Sequence, residues 1–240
     1  MSWRITSSNA LEDAIFEMKL KVASYIGVQK GMTVVELGCG QGGFTASIAR
    51  TVGEKGKVLA VDVSNEYLNE FTERLDKYGV KNKVAFVQAD GKALGGVVSA
   101  DVADLVTGFR LLEELGKCED MPEVIGEMVR VAKKRARVCL IELSTKPRNM
   151  AEEGYIRLHK EGGDCFFKRE EIVQSMKKHR LREVHVDEYD TNIWFSPSLA
   201  KQDLSFAQVW FDSNVEKNIG CIIDKYGMKY PKLLIFSGQK

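Results

Sequence analysis

The segment VVELGCGQGG at residues 34–43 constrains the fold of this chain most, because it joins a buried strand to a helix through a glycine-rich turn. Glycine tolerates positive φ angles and lets a ligand approach the backbone closely. The free N–H groups at the start of the following helix favour anionic or polar groups. A strand, a glycine turn and a helix in this order predict a cofactor site within an α/β fold.

Apolar runs that fit strands alternate with helical patterns, which predicts a mostly parallel sheet with helices on both faces. The predicted strands cover 33–37, 57–63, 83–90, 103–108, 137–143, 182–190 and 232–238. The predicted helices cover 9–27, 43–52, 65–78, 120–134 and 168–179, and a further helical pattern runs from Val215 to Tyr226. We expect a single domain over 1–240, with lid segments at 1–30, 146–167 and 191–230 above the strand ends.

Composition restricts the compartment and the class of partner. No apolar stretch approaches the ~20 residues of a membrane span, and the N-terminus lacks the apolar core of a signal peptide, so we expect a cytoplasmic protein. The five cysteines form no Cys-x-x-Cys pair, which argues against a structural zinc site or a disulfide framework. The net charge of +1 gives no overall attraction to nucleic acid, and the basic stretch 133–137 enters its strand at the end away from the glycine turn.

The glycine turn by itself fits more than one cofactor. Gly38, Gly40 and Gly43 satisfy the spacing of a dinucleotide site, with Asp62 placed as a ribose acceptor. No Gly-Lys-Ser/Thr follows the turn, which excludes a nucleoside triphosphate P-loop. Glu36, two residues before Gly38, would repel a pyrophosphate and would attract a ligand that carries an ammonium and a sulfonium group.

Carboxylates stand at the ends of three successive predicted strands: Glu36, Asp62 and Asp90. The carboxyl ends of neighbouring parallel strands form the ligand crevice of a doubly wound sheet. We therefore expect these three side chains around one ligand, with Asp90 able to accept a hydrogen bond from an adenine amino group.

The same segments resemble the motifs of a known family. VVELGCGQGG, VLAVDVS and VQADGKAL resemble, in order and spacing, the first three motifs of class I S-adenosylmethionine-dependent methyltransferases, and ADLVTGFRLLEEL resembles the fourth. The resemblance covers about residues 10–190. It implies a Rossmann-like sheet of seven strands in the order 3-2-1-4-5-7-6, with strand 7 antiparallel, and S-adenosylmethionine as the cofactor.

The resemblance also implies roles for individual residues. The glycines pass close to the methionine part of the cofactor, Asp62 holds the ribose hydroxyls, Asp90 contacts the adenine amino group, and Thr107 lines the methionine end. The full set of predicted cofactor residues is Glu36, Gly38, Cys39, Gly40, Gln41, Gly42, Asp62, Val63, Asp90, Gly91 and Thr107.

The methyl acceptor is less constrained by the sequence. After the fourth strand the chain reads TGFR, not the Asn/Asp-Pro-Pro-Tyr/Phe motif of amino-methylating enzymes that flip a base. The segments TGFRLLEEL and FFKREEIVQSMKKHRLREVHV resemble the small-molecule branch that includes the ubiquinone/menaquinone-biosynthesis methyltransferases. A small-molecule acceptor is favoured. An RNA or protein methyltransferase, and an NAD(P)-dependent dehydrogenase or non-catalytic cofactor-binding protein, remain the alternatives.

Candidate acceptor residues come from the predicted lids and from the end of the fifth strand. His159 can act as a base near neutral pH, and Glu142 is the second candidate base. The predicted pocket residues are Trp3, Tyr155, Arg148, Phe195 and Trp210. Aromatic side chains suit a planar or apolar acceptor, and an arginine suits an anionic group. We predict no metal site, and a monomer or a homodimer.

Overall fold

A computed structural model describes residues 4–202 and 216–240 of the chain. In chain order the strands are β1 (Arg4–Ile5), β2 (Thr33–Leu37), β3 (Lys57–Asp62), β4 (Val84–Gln88), β5 (Ala103–Phe109), β6 (Ala132–Leu143), β7 (Arg182–Tyr189), β8 (Trp194–Phe195), β9 (Met228–Lys229) and β10 (Leu233–Gln239). The helices are α1 (Ser8–Tyr25), α2 (Gly43–Val52), α3 (Leu68–Lys77), α4 (Met121–Val131), α5 (Met150–Glu161), α6 (Arg169–Lys178), α7 (Pro197–Gln202) and α8 (Cys221–Tyr226).

Seven of these strands form one sheet in the order β4-β3-β2-β5-β6-β10-β7. β2 pairs in parallel with β3 and β5, while β10 runs antiparallel to both β6 and β7. Counted within this sheet alone, the order is 3-2-1-4-5-7-6, which confirms the predicted fold. The strand order reverses between β2 and β5, so the ligand crevice of such a sheet lies at the carboxyl ends of these two strands.

The largest difference from the predicted boundaries is at β6, which begins at Ala132 and not at residue 137. Ala103 pairs with Ala132, but Leu105 pairs with Arg137, so β6 contains extra residues that bulge. Arg135, within this bulge, has a φ angle of 68°. Pairing with β5 therefore overrides the helical pattern that continues past Val131. It also places the basic stretch 133–137 in the first half of β6, at the end of the sheet away from the crevice.

The N-terminal helix α1 packs into the core, although the segment 1–30 was expected to form a lid. Its buried residues, among them Phe16, Met18 and Val22, belong to the hydrophobic cluster shared with α2. The apolar spacing that predicts the helix is the spacing that buries one of its faces. α1 is 18 residues long, and within 4–202 and 216–240 no helix has both the length and the apolar character needed to cross a bilayer.

β1, β8 and β9 form a second, three-stranded sheet that the sequence patterns did not indicate. β8 pairs in parallel with β1 and antiparallel with β9. Strands of two residues are too short to produce an alternating pattern. Phe195, in β8, is 2% exposed and belongs to the main core, so it is not free to line a lid, contrary to the prediction. Trp3 and Trp210, the other two aromatic residues predicted for the pocket outside α5, lie outside the described residues.

Cys118 and Cys165 form a disulfide, which corrects the expectation that the cysteines stay unpaired. The two residues are 47 positions apart in sequence, but their Cα atoms are 5.6 Å apart. The N–H of Cys165 donates to the carbonyl of Glu113 at 2.8 Å, which brings the chain after α5 back to the loop after β5. Cysteine spacing cannot reveal a pair that only this long-range return brings together. Cys39, Cys139 and Cys221 are free thiols.

Candidate functional site

The turn between β2 and α2 folds around three glycines with positive φ angles: 70° at Gly38, 45° at Gly40 and 75° at Gly42. The N–H groups of Gly38 and Cys39 donate to the carbonyl of Val61 at 2.8 and 3.1 Å, which ties the turn to β3. A Cβ atom at Gly38 would lie 2.7 Å from a leucine side chain, whereas a Cβ atom at Gly40 would meet no atom of the described residues within 4 Å. The backbone at Gly40 therefore faces open space that a ligand can enter.

Two contacts join the outer side of this turn to α3. The carbonyl oxygen of Gln41 accepts a hydrogen bond from Nη1 of Arg74 at 2.9 Å. A Cβ atom at Gly42 would lie 2.7 Å from the ring of Phe71. Both residues are thus held by α3, and the side chain of Gln41 is exposed.

Asp62, at the end of β3, holds the glycine turn in place. Its Oδ2 accepts a hydrogen bond from the N–H of Gly40 at 2.7 Å, and its Oδ1 accepts one from the N–H of Ser64 at 3.1 Å. Each carboxylate oxygen can accept a second hydrogen bond, so Asp62 can also bind ligand hydroxyls. The next residue, Val63, is 66% exposed, which is unusual for valine. It offers an apolar surface for a flat ring beside Asp62.

Asp90 and Gly91 follow β4 and border the same crevice. Oδ1 of Asp90 accepts a hydrogen bond from the N–H of Lys92 at 3.0 Å, the geometry of an Asx turn. The Asp90 side chain is nevertheless 47% exposed and retains acceptor capacity. A Cβ atom at Gly91 would lie 3.5 Å from Leu37 at the end of β2, so this loop reaches the glycine turn.

Glu36 is buried beneath the turn, with an exposed fraction of 1%. Its Oε2 accepts a hydrogen bond from the hydroxyl of Thr45, in α2, at 2.6 Å. Burial raises the pKa of Glu36 to about 8, although the Thr45 hydrogen bond and the charge of Lys19 oppose the shift. Thr107, in β5, is the register partner of Glu36, and among the described residues its buried hydroxyl finds no hydrogen-bond partner. The crevice floor thus holds polar groups that a cationic ligand would stabilise.

We expect Glu36→Gln to make stability less dependent on pH. A carboxyl with a folded-state pKa of about 8 favours folding fully below its unfolded value of about 4.3, and this contribution is lost as the pH rises through 8. Glutamine keeps an oxygen acceptor for Thr45 but has no proton to lose. Thermal unfolding from about pH 5 to about pH 8 checks this. The wild type should lose stability relative to the variant as the pH rises, and a constant difference contradicts the assignment.

The residues around the turn fit S-adenosylmethionine, the cofactor of the family that the motifs resemble. The glycine backbone is open to the ligand at Gly40, and Asp62 offers carboxylate oxygens for ribose hydroxyls. Val63 offers an apolar face for adenine. The buried carboxyl of Glu36 and the unpartnered hydroxyl of Thr107 lie where a charged amino-acid end would need polar groups.

We expect Gly40→Ala to weaken binding of S-adenosylhomocysteine by about tenfold or more, because an added methyl group protrudes into the ligand's space. Gly79→Ala is the matched control. Both glycines have positive φ angles, 45° and 64°, and both have open space around an added Cβ atom. Each substitution therefore carries a similar backbone strain of about 1–2 kcal/mol. Titration calorimetry should show normal affinity for Gly79→Ala only, and equal affinities in the two variants contradict this placement of the cofactor.

A second polar cluster, centred on Arg110, lies beside the turn, and Arg110 directly follows β5. Its Nη1 donates to the hydroxyl oxygens of Tyr155 at 3.3 Å and Tyr230 at 3.4 Å, and its Nε donates to the carboxylate of Glu113. These partners come from α5, from the residue after β9 and from the loop after β5. The Arg110 cluster therefore joins three distant parts of the chain at the carboxyl end of β5.

His159 and Tyr155 lie one helical turn apart on α5, so both reach this cluster. Nδ1 of His159 donates to Oδ2 of Asp164 at 2.6 Å. Nη2 of Arg110 is 3.2 Å from Nε2 and 3.3 Å from Nδ1 of the imidazole. Because these two distances are almost equal, the guanidinium lies off the axis of either ring nitrogen. His159 is 6% exposed, so an imidazole held by a carboxylate stands in a largely dehydrated place beside β5.

Two buried carboxyl groups adjoin Arg110: Glu113, which belongs to the Arg110 cluster, and Glu142, which lies behind it. Burial raises the pKa of Glu113 to about 7, against the charge and hydrogen bond of Arg110. Burial, followed by the charge of Glu113, raises the pKa of Glu142 well above its usual range. Oε1 of Glu142 accepts a hydrogen bond from the N–H of Leu112 at 3.1 Å. Glu142 thus orients the loop after β5 from a buried position, and this geometry does not support its predicted role as a base.

One oxygen or nitrogen atom from each of Glu113, His159 and Asp164 lies within 4.8 Å of the others, a spacing that a metal ion could bridge. Arg110, however, contacts both Glu113 and His159. Its guanidinium already supplies a positive charge at this place and would repel a metal cation. The arrangement is that of an acid–base cluster.

Arg148 takes part in an ion-pair network at the start of α5. Its guanidinium contacts Glu152 at 2.6 Å and Asp190 at 2.5 Å, and Lys229 contacts Glu152 at 2.9 Å. Glu152 is 1% exposed, so the network fixes the start of α5 to the ends of β7 and β9. The structure therefore gives Arg148 a part in positioning α5, and does not bring it to the Arg110 cluster as a predicted pocket residue.

Sequence reasoning missed several residues of the site: Lys19, Thr45, Arg110, Glu113, Asp164 and Tyr230. The sequence could have indicated Arg110, because this residue directly follows a buried strand at the edge where the crevice of such a sheet lies. The others come from helices or loops whose approach to the crevice depends on tertiary packing.

The comparisons with known proteins agree with this geometry. A model of a methyltransferase domain family matches residues 28–189. Two curated ubiquinone/menaquinone biosynthesis C-methyltransferases (UbiE) are similar: that of Klebsiella pneumoniae is 31% identical over 132 residues, and that of Salmonella arizonae is 33% identical over 133 residues. Each alignment covers 54% of this chain and 51% of the relative. The chain thus spans about half the length of the curated relatives it matches.

Solved structures share the fold over almost the whole chain. A methyltransferase of Aquifex aeolicus, described as S-adenosylmethionine-dependent, has a TM-score of 0.60 at 19% identity and covers 97% of this chain and 93% of its own. A cyclopropane-fatty-acyl-phospholipid synthase-like protein of Lactobacillus casei has a TM-score of 0.74 at 14% identity, covering 98% and 94%. At such identities the likeness concerns the fold alone.

Proposed function

Because the chain belongs to the class I S-adenosylmethionine-dependent methyltransferase family, we propose that it transfers the methyl group of this cofactor to a small-molecule acceptor. One observation carries the proposal. The open glycine turn, the strand-end carboxylates Glu36, Asp62 and Asp90, and the buried acid–base cluster around Arg110 all border the carboxyl ends of β2 to β5. The likeness to UbiE enzymes over half their length supports a small-molecule acceptor.

The cofactor residues divide by the part of the ligand that they would hold. Asp62 would bind the ribose hydroxyls, Val63 would contact the adenine ring, and Asp90 would accept a hydrogen bond from its amino group. The glycine turn and Thr107 would border the methionine part, and Glu36 would face its ammonium group. A diphosphate against the Glu36 carboxyl would lie beside a buried acid, which disfavours a dinucleotide.

The chemistry requires little beyond position. When bound, S-adenosylmethionine supplies an electrophilic methyl group that a nucleophile displaces in line. The protein must orient the acceptor and exclude water, and the buried aromatic and polar side chains of the Arg110 cluster are suited to both tasks. A base is needed only where the acceptor loses a proton.

We assign that base to His159. Asp164 fixes the tautomer with hydrogen on Nδ1, which makes Nε2 the proton-accepting atom. The charge of Asp164 also stabilises the imidazolium that forms when Nε2 takes up the proton, against the repulsion from Arg110. Arg110 and Tyr155, which contact each other at 3.3 Å, would orient the acceptor beside the ring.

Calorimetry separates this function from a dehydrogenase. S-adenosylhomocysteine should bind to the wild-type protein, and NADH should not. Binding of NADH alone would overturn the proposal.

A labelling experiment identifies the class of acceptor. The protein is incubated with cofactor labelled in its methyl group and with a cell extract, and the products are separated by size. Label in the small-molecule fraction supports the proposal. Label that is released by nuclease or by protease instead identifies an RNA or a protein acceptor.

A further inference from the structure

Lys19 is a charged residue in the middle of a helix that otherwise packs into the core. Its side chain leaves α1 toward the crevice and reaches the first residue of α2, since a Cβ atom at Gly43 would lie 2.6 Å from its Nζ. The same Nζ lies 5.0 Å from the centre of the Phe109 ring, at the end of β5. The amine of Lys19 is therefore placed between the glycine turn and the strand end that carries the Arg110 cluster.

The surroundings of this amine are unusually positive. Burial lowers the pKa of Lys19 to about 8, and the charges of Arg74 and Arg110 contribute to the shift while Glu36 opposes it. The start of α2 adds the positive end of a helix dipole. Within 4–202 and 216–240, no carboxylate lies at ion-pair distance from Nζ of Lys19.

Glu36 is a carboxyl group whose charge acts on Lys19, and it is engaged elsewhere. Its carboxyl accepts the hydrogen bond of Thr45, and its own pKa is raised to about 8 by burial. A partly buried cation without a paired anion is costly, and two further cations beside it increase that cost. Among the described residues, the positive charge of Lys19 is therefore not balanced by a paired anion.

We propose that the ammonium of Lys19 binds the carboxylate of the methionine part of the cofactor. This inference rests on the proposed function, which places S-adenosylmethionine at the glycine turn. The carboxylate is the one anionic group of that ligand. Held between Lys19 and the start of α2, it supplies the missing charge, and the neighbouring ammonium of the ligand then faces Glu36.

A pair of ligands tests the contact without any substitution. Decarboxylated S-adenosylhomocysteine keeps the amine and the thioether but lacks the carboxylate. If Lys19 forms a charge-assisted hydrogen bond with that group, wild-type protein should bind S-adenosylhomocysteine about 10- to 100-fold more tightly than the decarboxylated ligand. Equal affinities overturn the proposal.

The substitution Lys19→Met completes a thermodynamic cycle. Methionine retains the length and the apolar part of the side chain, and the preference for the carboxylated ligand should fall to about twofold or less. Lys19→Arg should restore part of the preference. Lys21→Met is the matched control, because Lys21 lies on the same helix but is exposed, and its preference should equal that of the wild type.

The outcomes distinguish a failure of the Lys19 contact from a failure of the cofactor assignment. A full preference retained in Lys19→Met means that another group binds the carboxylate, and an equal loss for both ligands means that Lys19 acts only on the fold. Either result overturns the role of Lys19 and leaves the proposed function standing. If the wild type binds neither ligand, the cofactor assignment fails, and the role of Lys19 fails with it.

Discussion

Replacing His159 with asparagine is expected to lower the rate of methyl transfer by about 10²- to 10⁴-fold, the usual contribution of a positioned base. Asparagine can still donate a hydrogen bond to Asp164, but it cannot take up a proton. The rate should be measured in single turnovers with the acceptor isolated by the labelling experiment. Affinity for S-adenosylhomocysteine should stay unchanged, because His159 belongs to the Arg110 cluster and not to the glycine turn.

Two further variants separate catalysis from general damage. Asp164→Asn should slow the reaction less than His159→Asn, because Asp164 positions the imidazole but does not itself take up the proton. His185→Asn is the control, since His185 lies on β7 with a side chain that is 55% exposed, and it should leave the rate unchanged. An unchanged rate in His159→Asn would remove this residue as the base.

Replacing Asp62 with alanine is expected to weaken binding of S-adenosylhomocysteine by about 1–3 kcal/mol, since ligand hydroxyls lose a charged acceptor in a closed site. This corresponds to roughly 5- to 150-fold in the dissociation constant. The substitution also removes the acceptor of the Gly40 N–H, a hydrogen bond of 2.7 Å, which loosens the turn. Titration calorimetry measures the change.

A graded pair of variants tests the role of the Asp62 charge. Asp62→Asn keeps one oxygen acceptor and should weaken binding less than Asp62→Ala. Asp76→Ala is the surface control, because that side chain is 56% exposed and pairs with Lys81, and it should bind the ligand normally. Equal affinity of Asp62→Ala and the wild type would exclude the predicted ribose contact.

The glycine turn and the elements that flank it were predictable because they lie next to each other in sequence. β2, the glycine turn and α2 are consecutive, and the positive φ angles at Gly38, Gly40 and Gly42 require the residue type seen there. Asp62 and Asp90 lie at the carboxyl ends of strands whose apolar patterns are clear in the sequence. The parallel arrangement of such strands then places all three strand ends at one edge of the sheet.

The acceptor half was predicted only in fragments. Tyr155 and His159 were recognised as candidates, but Arg110, which contacts both, lies 45 positions before Tyr155 and 49 positions before His159 in sequence. Glu142 reads as a possible base until its burial and its hydrogen bond to Leu112 are known. Arg148 reads as an anion-binding residue until the buried carboxylate of Glu152 is found beside it.

The sequence by itself determined the main strands and helices, the glycine turn and the acidic strand ends, since local periodicity and glycine stereochemistry act over a few residues. The order of the strands in the sheet was implied by the resemblance to the family. Only the tertiary structure decided which polar groups are buried together, which of them keep a charge, and that Lys19 leaves a core helix to reach the turn. Burial and charge pairing depend on contacts between segments that are distant in sequence, and a pattern within one segment does not indicate such contacts.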